Sequence, residues 1–418
     1  MRILIVTDSF PPVCGGSGWS TYELAIVRPR VSNETSATGP RDAQDAYDGF
    51  RPVEFHAWAP RVPFIRNYFK NERLYRELGA FLERTIGTGH IDVVHAQHLM
   101  SGPASIAAAR AARVPVVCTI RDYWPVCYWS DLILDRNAPD LCPGCSAARM
   151  TECIQPHGGA LWPLALPAIP YMRANLALKR RSLGQASAVV AVSGAIARDL
   201  RGRAPELAST RIEVIHNPVD VAGIHAEADQ APPPSAGPYA LFVGKLEPNK
   251  GVDFLLPAVA RARLPWPLVV VGDGSQRQQL ESTARAEAQQ VRFTGWLSRR
   301  EVLGWLRHAS LLVFPSYGPE SLSRVLIEAS ALGVPIAAME TGGTADIVVH
   351  EETGLLSHTA EELGDHVARL VADSALAGRL GAAARTHAGE RFASDVVIDQ
   401  VERLYRDLLG TSGGGRAA

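Results

Sequence analysis

"SLLVFPSYGPESLSRVLIEASALGVPI", residues 310–336, reads as a strand, a turn-rich loop, a helix and the start of a second strand. The apolar run at 311–314 is short and continuous, as in a strand buried on both faces. Gly318 and Pro319 interrupt it, and Ser321 or Ser323 can cap the helix that follows. Two carboxylates fall eight positions apart, Glu320 in the loop and Glu328 on the helix.

The same alternation runs through the chain. "RILIV", "DVVHA", "VPVVCTI", "SAVVAVS", "RIEVIHN", "YALFVG", "PLVVVG", "VRFTG" and "VPIAA" are further strand candidates, separated by longer helical patterns. Strands alternating with helices predict doubly wound α/β units with parallel sheets. The length of 418 residues is too great for one ordinary core, so two such domains are expected. The run "AEADQAPPPSAGP", residues 226–238, is the expected linker, with domains at 1–225 and 239–392. A last helix at 393–410 and a disordered tail at 411–418 follow, and a cysteine-rich insertion occupies about 122–160. Residues 28–50 are polar and turn-rich where a doubly wound domain should deliver its second strand, and no structure is assigned to them.

Composition narrows the function. The chain is 47% hydrophobic and 20% charged, with 42 Lys plus Arg against 43 Asp plus Glu. That balance argues against nucleic-acid binding by bulk charge. The opening "MRILIVTDSFPP" is a buried strand by length and has no cleavage-site pattern, and no apolar run is long enough to span a bilayer. Six cysteines in this length do not make a disulfide scaffold, and the expected setting is cytoplasmic.

Several stretches carry chemistry. In "SFPPVCGGSGWSTYELA", Gly15, Gly16 and Gly18 either cradle an anion at a helix start or simply allow a tight turn. In "VGKLEPNKGVDFLL", Lys245 and Lys250 flank a turn at the carboxyl edge of a sheet, where open α/β sheets bind ligands. They suit a diphosphate, or are two solvated lysines. "VVVGDGS", with Gly272, is a weak phosphate-loop signal. Free amides at the helix start near 321–323 would face the same crevice as the lysines and could hold a leaving diphosphate without a metal. Glu328 can accept two ribose hydroxyls, and Glu320 can touch the reacting group. The plainer readings are a first-turn dipole partner and a solvated helix residue.

Taken together, "GGSG", "DVVHAQH", "SAVVAVS", "IEVIHNPVD", "GKLEPNKG", "VRFTGWL", "PESLSRVLIEASALGVPI" and "TGGTADIV" resemble the family-4 retaining glycosyltransferases of the GT-B fold. The likeness runs from residue 1 to about 410 apart from 28–50, and Glu320 to Glu328 matches that family's E-x7-E motif. It implies two Rossmann-like doubly wound domains facing a cleft, with the C-terminal helix packing back on the N-terminal domain. It also implies a nucleotide-sugar donor, UDP- or GDP-linked, in the C-terminal domain and a glycan, lipid-linked or small-molecule acceptor in the N-terminal one. By the resemblance, Lys245 and Lys250 hold the diphosphate, Glu328 the ribose and Glu320 the sugar. Gly16, Gly244, Gly272, Ser321, Leu322 and the Ser323 amide would line the donor site, with Gly295 near the base. Where many relatives have His-x-His, this chain has Gln97 between His95 and His98, so His98 is expected to do the sugar-side work. Arg121 stands where relatives often have His and could add an anion contact for the acceptor. His95 is read either as an acceptor-side residue or as a strand-end residue with a satisfied hydrogen bond.

No carboxylate pair is spaced for double displacement and no Asp-x-Asp metal motif is found, so metal-independent front-side attack is expected. The alternatives are a GT-B-type nucleotide-sugar 2-epimerase and a non-catalytic nucleotide-sugar-binding scaffold. Cys127, Cys142, Cys145 and Cys153 fall in one insertion, with Cys142-Pro-Gly-Cys145 as a knuckle. A structural zinc, disulfides and unlinked thiols are the three readings, and no cofactor is expected for catalysis. Residues 159–182 join an apolar, proline-broken stretch to Lys179, Arg180 and Arg181. They read either as a weak peripheral contact with the inner membrane face or as an acceptor-side wall with a solvated basic face.

Overall fold

The computed structural model describes residues 1–7, 26–32, 38–42, 53–62, 65–134, 141–231, 235 and 237–413. The ten expected strands form, most of them as short aliphatic runs of buried residues, and four further strands join them. In chain order they are β1 (Ile3–Val6), β2 (Ile26–Ser32), β3 (Gly39–Asp42), β4 (Val53–Trp58), β5 (Val93–Ala96), β6 (Val116–Ile120) and β7 (Ala188–Ala191). They continue as β8 (Ile212–Val214), β9 (Ala240–Val243), β10 (Leu268–Val271), β11 (Val291–Gly295), β12 (Leu311–Phe314), β13 (Ile336–Met339) and β14 (Leu355–Ser357).

The chain divides into two compact units. The first comprises Met1–Ser130, Gly144–Asn217 and Ile398–Ala418; the second comprises Asp131–Pro143 and Pro218–Val397. The chain therefore changes unit at Asn217, ahead of the expected linker at 226–238. The helix Val221–Asp229, capped by Asp220, already belongs to the second unit. Within that linker, prolines 232–234 lie outside the described residues. The final helix, Ser394–Gly413, joins the first unit from Ile398 onward.

The first unit holds an eight-stranded sheet in the order β3-β4-β2-β1-β5-β6-β7-β8. All its pairings are parallel except that of β3 with β4. The second strand does form, starting at Ile26 and running into the region at 28–50: β2 pairs with β1 through Ile26 and Val27, and with β4 through Val27 to Ser32. Pro29, opposite Phe55, sits inside this central strand although it cannot donate to a ladder, which is why the stretch does not read as a strand. The second unit holds a six-stranded, wholly parallel sheet in the order β11-β10-β9-β12-β13-β14. Its core joins Phe242, Leu255, Val270, Val313, Ala337 and Leu363 from strands and covering helices.

In each sheet the chain winds outward on one side of its first strand and then crosses to the other. The reversal lies between β1 and β5 in the first unit, and between β9 and β12 in the second. The crevice outside the carboxyl ends at such a point is where open α/β sheets take ligands.

Candidate functional site

In the second unit the reversal is bounded by the loop after β9, carrying Gly244, Lys245 and Lys250, and the loop after β12, carrying Glu320 through Ser323. The two are stitched together. Gly318 N–H donates to Asn249 O at 2.9 Å, and Ser316 Oγ donates to Asn249 O at 3.2 Å and to Glu320 Oε1 at 2.8 Å. The Lys250 ammonium is seated on the same Glu320 Oε1, both side chains being largely buried. Lys245 is exposed and has no hydrogen bond or ion pair among the described residues.

A third loop, after β13, closes against Glu320. Gly343 N–H donates to Glu320 O at 2.6 Å. Gly342 has φ +51°, and a Cβ there would lie 2.1 Å from Glu320 O, so only glycine fits. Thr341 Oγ1 donates to Tyr317 O at 3.0 Å and Gly318 O at 3.1 Å, fixing the turn that carries Glu320.

The helix Arg324–Ala331 opens at Ser323, whose side chain makes no capping bond. Ser321 is half-buried, while Leu322 and Ser323 are buried. The three amides at 321–323 make no hydrogen bond to a described residue, leaving donors at the positive end of the helix. Glu328 is 4% exposed, and its Oε1 is gripped by Arg299 and, at 3.0 Å, by Arg324 Nε. It is therefore not a solvated helix residue. Arg299 opens the helix Arg299–Arg307, which a Ser298–Glu301 capping box fixes in place, and it also reaches Glu227 at 3.5 Å. The sequence reading missed both arginines. Arg324 was within reach of it, one turn before Glu328.

Gly272 follows β10 and packs on the loop after β9, where a Cβ would stand 1.9 Å from Gly244 O. Close approach of two backbones thus suffices to explain it. Gly295 ends β11, and the next residue, Trp296, is 68% exposed at the same edge of the sheet. Gly16, with Gly15 and Gly18, lies outside the described residues.

In the first unit the reversal point gathers Gln97, His98 and Arg121. Gln97 N–H donates to Val6 O at 2.8 Å, tying β5 to β1. Arg121 donates from Nη2 to Gln97 Oε1 at 2.5 Å, from Nε to Gln97 O at 3.2 Å, and from Nη1 to Asn217 Oδ1. His98 is half-buried. Met100 N–H donates to its Nδ1 at 3.2 Å, so Nε2 carries the proton, which it gives to Asp122 Oδ2 at 2.7 Å. Asp122 Oδ1 accepts from Trp124 N–H at 2.9 Å.

His95 is internal, at 2% exposure, with Tyr405 on Nδ1 at 2.5 Å and Thr119 on Nε2 at 2.6 Å. Burial, aided by Arg121, pulls its pKa down to about 3, so the ring is neutral. This is the satisfied strand-end residue rather than an acceptor contact.

The four insertion cysteines are not joined in disulfides. Among the described residues no group of three or more His, Cys, Asp or Glu could hold a metal ion. The insertion gains its core from its neighbour instead. Tyr128, Met150 and Ile154 pack with Ala165, Met172 and Leu176 of the following helical stretch, with Cys145 and Cys153 against them. The expected basic edge at 179–181 is corrected as well. Lys179 is turned inward at 1% exposure, and Arg180 pairs with Glu206 at 3.3 Å, leaving Arg181 exposed beside Leu178. No described helix is long and apolar enough to cross a membrane.

Two family models match the chain: Glycosyl transferases group 1 over residues 237–373 and Glycosyltransferase Family 4 over residues 15–222. A D-inositol 3-phosphate glycosyltransferase of Streptomyces bingchenggensis is 29% identical over 81% of this chain and 72% of its own. A glycogen synthase of Mycobacterium tuberculosis is 32% identical over 46% of this chain and 48% of its own. Among solved structures, sucrose-phosphate synthase from Thermosynechococcus elongatus superposes with TM-score 0.65 at 19% identity, covering 98% of this chain and 100% of that one. HepE of Anabaena in complex with UDP gives 0.62 at 18% identity, covering 97% and 100%. These two likenesses establish the shared fold.

Proposed function

We propose, for a chain that belongs to the group 1, family 4 glycosyltransferases, that it moves a sugar from a nucleoside diphosphate sugar to an acceptor hydroxyl with retention at the anomeric carbon. The observation that carries this reading is what meets on one edge of the second sheet. Lys245, the Lys250–Glu320 pair, three amides without partners among the described residues and the arginine-held Glu328 adjoin a single reversal point. Cations and amides suit a diphosphate, and a buried carboxylate with both arginines on one oxygen keeps its other oxygen for ribose hydroxyls.

The chemistry follows from charge. The bond from the anomeric carbon to the phosphate oxygen breaks, and its electron pair leaves with the diphosphate. The lysines and the helix N-terminus stabilise that charge as it grows. The acceptor oxygen attacks from the face being vacated, and its proton passes to the departing phosphate oxygen. Glu320, bound to Lys250, is assigned the contact with the transferred sugar. The acceptor site is assigned to the reversal point of the first unit, around His98 and Asp122. The named relatives favour a cyclitol or sugar acceptor, and UDP, seen with HepE, is the first donor base to try.

The test is incubation with UDP-, GDP- and ADP-sugars and a panel of cyclitol, sugar and lipid-linked acceptors, reading the product's anomeric configuration by NMR. Nucleotide release only when acceptor is present, with retention, is expected. Inversion overturns the mechanism, and free 2-epimerised sugar overturns the transfer.

A further inference from the structure

The helix Ile169–Leu183 carries a lysine on its buried face. Met172, Leu176, Lys179 and Leu183 share that stripe, and Lys179 is 1% exposed. Among the described residues it makes no hydrogen bond and no ion pair. Its ammonium faces aromatic rings instead, 4.5 Å from the centroid of Trp124 and 5.9 Å from that of Tyr128. An ammonium stripped of water ordinarily finds oxygen partners, and ring faces replace them only in part.

Trp124 also touches His98, with ring centroids 6.3 Å apart, so a single indole has the buried cation and the imidazole as neighbours. Among the described residues, three charged or titratable groups act on Lys179. Asp122 and Cys127 belong to the segment after β6, and Glu72 to the π-helical turn Phe69–Arg73. Glu72 is already bound by Tyr171 Oη at 2.9 Å and Asn175 Nδ2 at 3.0 Å. Tyr128 and Tyr171 are held neutral, Tyr128 by burial that lifts it to about 12. Among the contacts of His98 are Asp122 and Trp124, and Lys179 comes to it through the indole that both of them touch.

A carboxylate 2.7 Å from Nε2 would ordinarily draw a second proton onto the ring. That proton would have to enter at Nδ1 and displace the Met100 N–H. We propose that Lys179 is a positioning residue of the acceptor-side site: a buried cation behind Trp124 that opposes protonation of His98, so that His98 meets the acceptor as a neutral imidazole locked in its Nε2–H tautomer. The inference rests on the placement of the acceptor in the first unit. Burial lowers Lys179 to about 8, so the ammonium is mostly present at neutral pH and fades above that value.

The experiment is a ¹⁵N-histidine NMR titration of the full chain, with His98 assigned by comparison with His98→Gln. In Lys179→Met the His98 midpoint should rise by about one pH unit, the order expected on removing a like charge from a partly buried site. Lys179→Arg, which keeps the charge, should restore it. Asp122→Asn gives an independent reading should Lys179→Met not fold. With the carboxylate gone, the cation should drive the His98 midpoint below the ordinary value of about 6.5. An unmoved midpoint in Lys179→Met, or an ordinary one in Asp122→Asn, overturns the proposal. In transfer assays the acidic limb of kcat/KM for acceptor should move with the NMR midpoint, while nucleotide binding stays unchanged. If no acceptor is ever found, the transfer reading fails and the titration still decides the role of Lys179.

Discussion

His95 Nδ1 and the Tyr405 hydroxyl stand 2.5 Å apart, fastening the last helix of the chain to β5 across 310 residues of sequence. The bond is buried, and the histidine is neutral, its pKa held near 3 by burial. The unfolded chain binds a proton at this residue below about pH 6.5, where the native one does not. Stability from His95 is therefore complete above that value and is lost as pH falls toward the folded value, by up to about 1.4 kcal/mol per pH unit. Urea unfolding at several pH values should show this loss in the wild type and a smaller slope in His95→Gln. Equal slopes would remove the linkage. Tyr405→Phe should cost about 1–3 kcal/mol at neutral pH by leaving a buried partner unpaired.

Lys245→Ala and Lys250→Ala should each lower turnover by on the order of 10²–10³, the usual cost of losing one donor to developing charge. Single-turnover rates at saturating donor make the measurement. Near-wild-type rates in both variants would end the diphosphate assignment. Lys250→Ala also strips Glu320 of its cation, so it should be the more damaging of the two.

Glu328→Gln should weaken binding of the nucleotide with or without its sugar, because it alters the carboxylate assigned to the ribose. Arg299→Leu should weaken the same binding to a lesser extent by unfixing that carboxylate. Glu320→Gln should spare free nucleotide and depress transfer. Calorimetry with nucleoside diphosphate, set beside initial rates, separates the three. Identical profiles for the two glutamate variants would cancel the division of labour.

Transfer should proceed unchanged in excess EDTA, since the stabilising charges assigned to the leaving diphosphate all come from the chain. A loss of more than about tenfold, restored by Mg²⁺ or Mn²⁺, would demand a metal in the mechanism. Elemental analysis of the same tag-free sample addresses Cys127, Cys142, Cys145 and Cys153. Less than one zinc per chain, with normal thermal stability, is the expected result.

The strands and the two carboxylates were readable in the sequence because each depends on a local pattern. A four-residue aliphatic run, or a glutamate one turn from a Gly-Pro loop, shows itself in any short window. β2 was obscured by Pro29, whose missing donor argues against the central place it occupies. β14, three residues long, is too short for periodicity to register. Arg299 reaches Glu328 from 29 residues upstream, a contact only tertiary folding creates. Lys179 was misread for a different reason. Its two arginine neighbours suggested a basic edge, yet its spacing from Met172, Leu176 and Leu183 already put it on the apolar stripe.

Gly272 against Gly244, and Gly342 against Glu320, make two joints in the second unit's ligand edge from main chain alone. Such joints contain no rotamers to freeze, so a nucleotide arriving there meets walls that have already lost their disorder. The calorimetric signature should be a binding enthalpy that changes only gently with temperature, its slope set by the apolar area the ligand covers and not by any ordering of the loops.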